Sequence, residues 1–146
     1  VFLPDGTQTD SAGECARYDG IVEAQGGIDL QLLGLGRNAH IGFNEPDTCF
    51  SNGTHQVVLT ESTIAANTRF FEKEADVPRR AYSLGMRGIM QARKILLAVS
   101  GEDKAEALRN SFFGPVTPAV PASILQLHPD VTVIADAAAL SLCPKA

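Results

Sequence analysis

The stretch Ile28-Asp29-Leu30-Gln31-Leu32-Leu33-Gly34-Leu35-Gly36-Arg37-Asn38-Ala39-His40-Ile41-Gly42-Phe43-Asn44-Glu45-Pro46 decides how this chain is read. The apolar run from Ile28 to Leu33 predicts a buried strand. Gly34 and Gly36 mark its end, where the backbone turns sharply or something approaches it closely. Behind them, Arg37, Asn38, His40, Asn44 and Glu45 put five groups able to bond or transfer protons into nine residues. Ile41 and Phe43 alternate with them, so apolar side chains are expected to anchor the loop while polar ones face a cleft. Pro46 drives Glu45 out of the α region and fixes where its carboxylate points. In an open parallel sheet the ligand crevice lies at the carboxyl ends of the strands, and this loop sits at such an end. Taken alone, the residues leave two readings open. Gly-x-Gly after a strand is a common turn, Ala39 fills the third-glycine place of a dinucleotide fingerprint, and a lone His is often structural. Titratable groups clustered on a strand-end loop favour a functional His40–Glu45 pair.

Outward from this stretch, composition sets bounds. The chain has 146 residues, 45% of them hydrophobic, which is enough for one core, and residues 1–146 are expected to form a single α/β domain. The net charge of −5 comes with no basic stripe and no aromatic-basic interleaving, so no nucleic-acid partner is expected. A few aimed cations still suffice for a small anion. No apolar run reaches the roughly 18 residues of a membrane span. Val1-Phe2-Leu3-Pro4-Asp5-Gly6 does not read as a signal peptide, so a cytoplasmic location and no membrane partner are expected. Cys15, Cys49 and Cys143 are odd in number and far apart, which predicts free thiols. No zinc-type spacing occurs, and no metal or organic cofactor is expected.

The rest of the chain alternates strands and helices. Thr9 or Asp10 caps a helix to about Ala24, and His55 to Leu59 is a short β-branched strand. Thr60 to Thr63 opens a helix to about Phe71, and Val77-Pro78 ends it. Ala81 to Leu84 reads as a strand, Met86 to Ala92 as a short helix, and Lys94 to Val99 as a strand buried on both faces. Ser100 to Lys104 is a second strand-to-helix turn, and Glu102 to Phe113 is a helix that Gly114-Pro115 stops. Pro121 to Leu127 is a small helix, Val131 to Ala135 the last strand, and Asp136 caps a final helix to about Leu142. This order predicts an α/β fold: a Rossmann-like parallel sheet with flanking helices.

Gly34-Leu35-Gly36-Arg37-Asn38-Ala39-His40-Ile41-Gly42-Phe43-Asn44-Glu45-Pro46 resembles the signature of the glucosamine-6-phosphate deaminase (isomerase) family. The likeness continues through Thr63 to Phe71, Ser100 to Ala107 and Pro121 to Val133. It implies conversion of glucosamine 6-phosphate and water into fructose 6-phosphate and ammonia, an aldose–ketose isomerisation with deamination in amino-sugar catabolism. By this resemblance His40 opens the sugar ring as acid/base, a task that suits an imidazole. Glu45 orients and charge-tunes His40. Asn38 stands where some members carry Asp. It can hold His40 by hydrogen bonding but cannot act as a base. Arg69 and Lys104 would hold the substrate phosphate, Arg as a planar fork and Lys as a point charge beside backbone donors. His128 also matches and is expected to be structural. His55 and Val57, where regulated members carry basic residues, imply an unregulated member, as does the short tail Pro144-Lys145-Ala146.

In the family, the segment like Phe2 to Gly6 lies mid-protein, after a Gly-Gly-Thr-Pro phosphate loop and an Asp-Glu-Tyr motif that supplies the C2 base. Neither occurs here, so the chain resembles roughly the C-terminal three-fifths of such an enzyme, lacking its N-terminal strands. Two expectations follow: the 146 residues alone are inactive or nearly so, and an open sheet edge favours homo-oligomers. The alternatives are a 6-phosphogluconolactonase-like hydrolase, disfavoured by Phe43-Asn44-Glu45-Pro46, and a non-catalytic sugar-phosphate-binding module.

Overall fold

The computed structural model describes residues 1–144. Lys145 and Ala146, on which the short-tail expectation rests, lie outside the described residues. Helix α1, Ser11–Ala24, is capped by Asp10, whose carboxylate accepts the Gly13 N–H at 2.9 Å. Strand β1 is Leu30–Gly34, β4 is Lys94–Val99 and β5 is Val131–Ala135. They form a parallel sheet in the order β1-β4-β5, with Leu33 level with Leu97 and Leu97 level with Val133. Between them lie β2, His55–Val58, α2, Glu61–Asn67, β3, Arg80–Ser83, and α3, Met86–Met90. Helix α4, Ala105–Phe113, follows β4, and a 3-10 helix spans Pro121–Leu127. This parallel, helix-flanked arrangement is the expected α/β, Rossmann-like fold.

Three expectations are corrected. First, β2 and β3 do not enter the parallel sheet but pair with each other as an antiparallel ribbon. Their sequences explain it: His55-Gln56-Val57-Val58 offers no continuous apolar run, and such half-polar strands suit an antiparallel pair with one wet face. Second, β4 is buried on one face only. Ile95, Leu97 and Val99 are buried, whereas Ala98 is exposed. On the same face of the sheet Leu30, Leu32 and Ile134 are also exposed, so β1 is not the buried strand its sequence predicts. The covering helices pack on the other face, where Ile89 of α3, Leu108 of α4 and Leu125 meet Ile95 and Leu97 in the core. Third, residues 136 to 143 form successive turns, not a helix. Leu140 and Leu142 are exposed, so little apolar packing is there to hold a helix, and Pro144 disfavours the α region at Cys143.

The core holds the strand ends in place. Removing a side chain such as Leu97, which is fully buried, costs about 2–5 kcal/mol through lost burial and the cavity left behind. His128 is buried as a structural residue. Its Nδ1 accepts the Asp130 N–H at 3.1 Å, so Nε2 carries the proton and donates to the Ala92 carbonyl at 2.8 Å. The three cysteines are free, with Cys15 buried; burial is the main cause of its raised thiol pKa.

Candidate active site

The loop after β1 folds back on itself. The Gly36 N–H donates to the His40 carbonyl at 2.9 Å, and the Ala39 N–H to the Gly36 carbonyl at 3.0 Å. Closing so tight a turn puts Ala39 at φ +65°, a left-handed conformation that a residue with a Cβ adopts at a cost of about 1–2 kcal/mol. Ala39 is buried, and its carbonyl accepts the Ala122 N–H at 3.0 Å, which pins the loop to the 3-10 helix. A Cβ at Gly36 would overlap the His40 ring, so glycine there lets the imidazole keep this position.

Anchoring differs from the expected alternation. Ile41 is fully buried as expected, but the second buried residue is Asn44, and Phe43 is half-buried. Asn44 therefore does not face the cleft. Its amide nitrogen donates to the carbonyls of Ile41 and Leu84, each at 2.9 Å, and its amide oxygen accepts from the Ser51 hydroxyl. The Ser83 hydroxyl accepts the Phe43 N–H at 3.0 Å. This buried knot ties the loop to the end of β3, and a polar side chain fits there because every group finds a partner.

His40 and Glu45 meet at the mouth of the loop, each about a third exposed. Nδ1 of His40 lies 3.1 Å from Oε1 of Glu45. The nitrogen is shielded from solvent and has no hydrogen-bond partner, so the two groups are close neighbours and not a formed hydrogen-bonded pair. Such bonds commonly tighten only when substrate arrives. Asn38 holds the other carboxylate oxygen, with Nδ2 donating to Glu45 Oε2 at 2.5 Å. Its Oδ1 accepts the backbone N–H of His40 at 3.3 Å. Asn38 thus holds the His40 main chain and the Glu45 carboxylate, and not the imidazole.

The turn after β4 closes the opposite wall. Gly101 sits at φ +100°, and Glu102–Lys104 forms a 3-10 turn leading into α4. Arg37 Nε lies 2.7 Å from Asp103 Oδ2, linking the two strand-end loops, and this bond is the main cause of a carboxyl pKa below the usual aspartate range. Lys104 is mostly buried, with Nζ 3.8 Å from the same oxygen. His40, Glu45, Asn38, Lys104, Arg37 and Asp103 all line one open cleft of about 870 Å³. Arg69 does not line it. Its guanidinium stacks over the Phe70 ring, 4.7 Å from the centroid, in the 3-10 turn Thr68–Phe70. Thr63 and Asn67, on α2 just before it, do line the cleft and were not singled out by sequence reasoning. A small polar residue recurring every four positions on a capped helix was the only signal available. Among the described residues no cluster of metal-ligating side chains occurs, and no helix is long and apolar enough to cross a membrane.

An imidazole touching a carboxylate on one strand end, with an ammonium on the next, suits proton transfer on a small anionic substrate. Comparison with known proteins agrees in kind. The family model described as glucosamine-6-phosphate isomerases/6-phosphogluconolactonase matches residues 2–134, and the chain belongs to that family. It is 57% identical over 146 residues to the glucosamine-6-phosphate deaminase of Clostridioides difficile (strain 630), covering 99% of this chain and 59% of that protein. Against the enzyme of the same name from Listeria innocua serovar 6a it is 57% identical over 141 residues, covering 97% and 60%. The chain thus spans about three-fifths of the length of these relatives. A solved structure of a monomeric glucosamine-6-phosphate deaminase superposes with a TM-score of 0.89 at 48% identity, covering 97% of this chain and 58% of that one. The 6-phosphogluconolactonase of Trypanosoma brucei, with a TM-score of 0.66 at 18% identity, shares the fold.

Proposed function

We propose that residues 1–146 form one α/β unit of a glucosamine-6-phosphate deaminase. In this reading the unit carries the ring-opening group and part of the phosphate site. The observation that supports it best is the His40–Glu45–Asn38 constellation, facing Lys104 across one cleft. His40 passes a proton to and from the ring oxygen as the pyranose opens, and Glu45 stabilises the imidazolium that this requires. Asn38, which cannot take a proton, keeps the Glu45 carboxylate turned toward the ring. Lys104 meets the phosphate. Arg69 joins it only after leaving Phe70, two residues beyond the cleft-lining Asn67. The base that takes the C2 proton comes from outside these 146 residues. The chain alone therefore releases ammonia slowly or not at all. No metal or organic cofactor enters these steps.

The test is ammonia release from glucosamine 6-phosphate. We would measure it with the 146-residue chain alone, and with the chain mixed with or fused to the N-terminal two-fifths of the Clostridioides difficile relative. Turnover that needs both parts and disappears in His40→Ala supports the reading. Acid release from 6-phosphogluconolactone in its place would favour a lactonase, the other activity in the family's description. Saturable sugar-phosphate binding with no turnover by the joined parts would favour a binding module.

A further inference from the structure

Asp136 follows the last residue of β5, and its carboxylate gathers donors from two neighbouring segments. Oδ2 accepts the Ser100 hydroxyl at 2.7 Å and the Gly101 N–H at 3.1 Å. Oδ1 accepts the Gly101 N–H at 3.2 Å and the Ala139 N–H at 2.8 Å. The backbone N–H of Asp136 reaches the Val99 carbonyl at 3.3 Å, so strand pairing itself delivers the side chain to the end of β4. What it grips is a turn with little stability of its own. Gly101 has φ +100° and ψ 148°, a conformation essentially confined to glycine, whose backbone is the loosest of any residue. The turn closes through the Lys104 N–H on the Gly101 carbonyl at 3.2 Å, so the direction taken at Gly101 sets where Lys104 begins. At its far end Asp103 is bonded to Arg37 of the other strand-end loop.

We propose that Asp136 is a positioning residue for Lys104. By holding Ser100 and Gly101 it fixes the strand-end turn that presents Lys104 to the cleft. This rests on the reading that Lys104 meets the substrate phosphate. It goes beyond that reading by placing the control of the phosphate contact just past the end of β5, in a residue that does not line the cleft. A hydrogen bond to a charged group is worth more than a neutral one, so a glycine turn held by one carboxylate loses its geometry when that carboxylate is removed.

The experiment uses NMR on the 146-residue chain and compares wild type with Asp136→Ala, Asp136→Asn, Ser100→Ala and Lys104→Ala. It follows amide exchange at Gly101 and the Lys104 side-chain signals, alongside a titration with glucosamine 6-phosphate. Asp136→Ala is expected to lose about tenfold protection at Gly101, shift the Lys104 signals and bind about tenfold more weakly. Asp136→Asn, which keeps one acceptor oxygen, recovers part of each. Ser100→Ala shows the same pattern, smaller, and serves if Asp136→Ala fails to fold. Leu125→Ala, a core truncation, lowers the melting temperature but leaves Gly101, Lys104 and the affinity unchanged. Unchanged Gly101 protection and Lys104 signals in Asp136→Ala would overturn the proposal, whatever the chain binds. The titration uses the chain joined to the N-terminal two-fifths of the Clostridioides difficile relative; if Lys104→Ala binds there as wild type does, or the joined wild type does not bind, the phosphate reading of Lys104 fails instead.

Discussion

Asn38 and Glu45 are seven residues apart on one loop and are joined by an amide-to-carboxylate hydrogen bond of 2.5 Å. Replacing Asn38 with Leu removes the donor, and the partly exposed Glu45 carboxylate is then free to turn to water. A hydrogen bond to a charged group is worth about 2 kcal/mol, so kcat/KM of the complemented chain is expected to fall roughly thirtyfold. The melting temperature should move little, because both groups reach solvent. A variant with unchanged kcat/KM would show that the bond has no part in turnover.

Gly36 and His40 touch across the same turn. In Gly36→Ala the new Cβ would stand 2.4 Å from the imidazole, so the ring must swing away from Glu45. Gly36 has an ordinary backbone φ, so the loss is expected in turnover more than in folding. Ammonia release should drop at least tenfold while the circular dichroism spectrum stays unchanged. Full activity would mean that the ring position seen here is not the working one.

Asn44 is buried and bonded to two carbonyls, and it satisfies the Ser51 hydroxyl. Asn44→Leu leaves those groups without partners, which costs about 3 kcal/mol. For a chain of this size that lowers the melting temperature by about 10 °C. Calorimetry settles it: a drop under about 2 °C would mean that water replaces the amide.

Acid should weaken the fold through its bonded aspartates. Asp136 is held below the usual range chiefly by the Ala139 N–H and then Ser100, and Asp5 is brought down to about 2 by Thr7 and Gln8. A carboxyl whose folded pKa lies below its unfolded value stabilises the fold above the unfolded value, near 3.8. That contribution is lost as pH falls through the folded value. Urea unfolding of Asp136→Asn should therefore show a stability gap from wild type at pH 7 that narrows below about pH 4. A constant gap would mean that the carboxylate's charge is not what stabilises.

Much of this arrangement is legible in the sequence because local rules and tertiary packing agree. Asp10 and Thr60 cap the helices they precede, and the glycine loop follows β1 as its apolar run requires. The misreadings have physical causes. A stretch such as Ile28 to Leu33 states how much surface a strand can bury, but not whether an element lies over each face. A side chain's direction on an irregular loop has no period, so Asn44 could not be told from Asn38. Arg69 sits in a 3-10 turn where the neighbouring Phe70 competes for its guanidinium, and nothing in residue order signals that stacking.

Because Gly34 is level with Ala98 in the parallel ladder, Gly36 and Ser100 leave their strands at the same height. The loop that carries His40 and Glu45 and the turn that carries Lys104 are therefore separated by a count of strands, at about 4.8 Å each. A spacing set by backbone hydrogen bonds acts as a ruler with fixed divisions. It can change only by a whole strand or a register slip, so side-chain substitutions can alter how strongly this cleft grips a substrate far more easily than how long a substrate it measures.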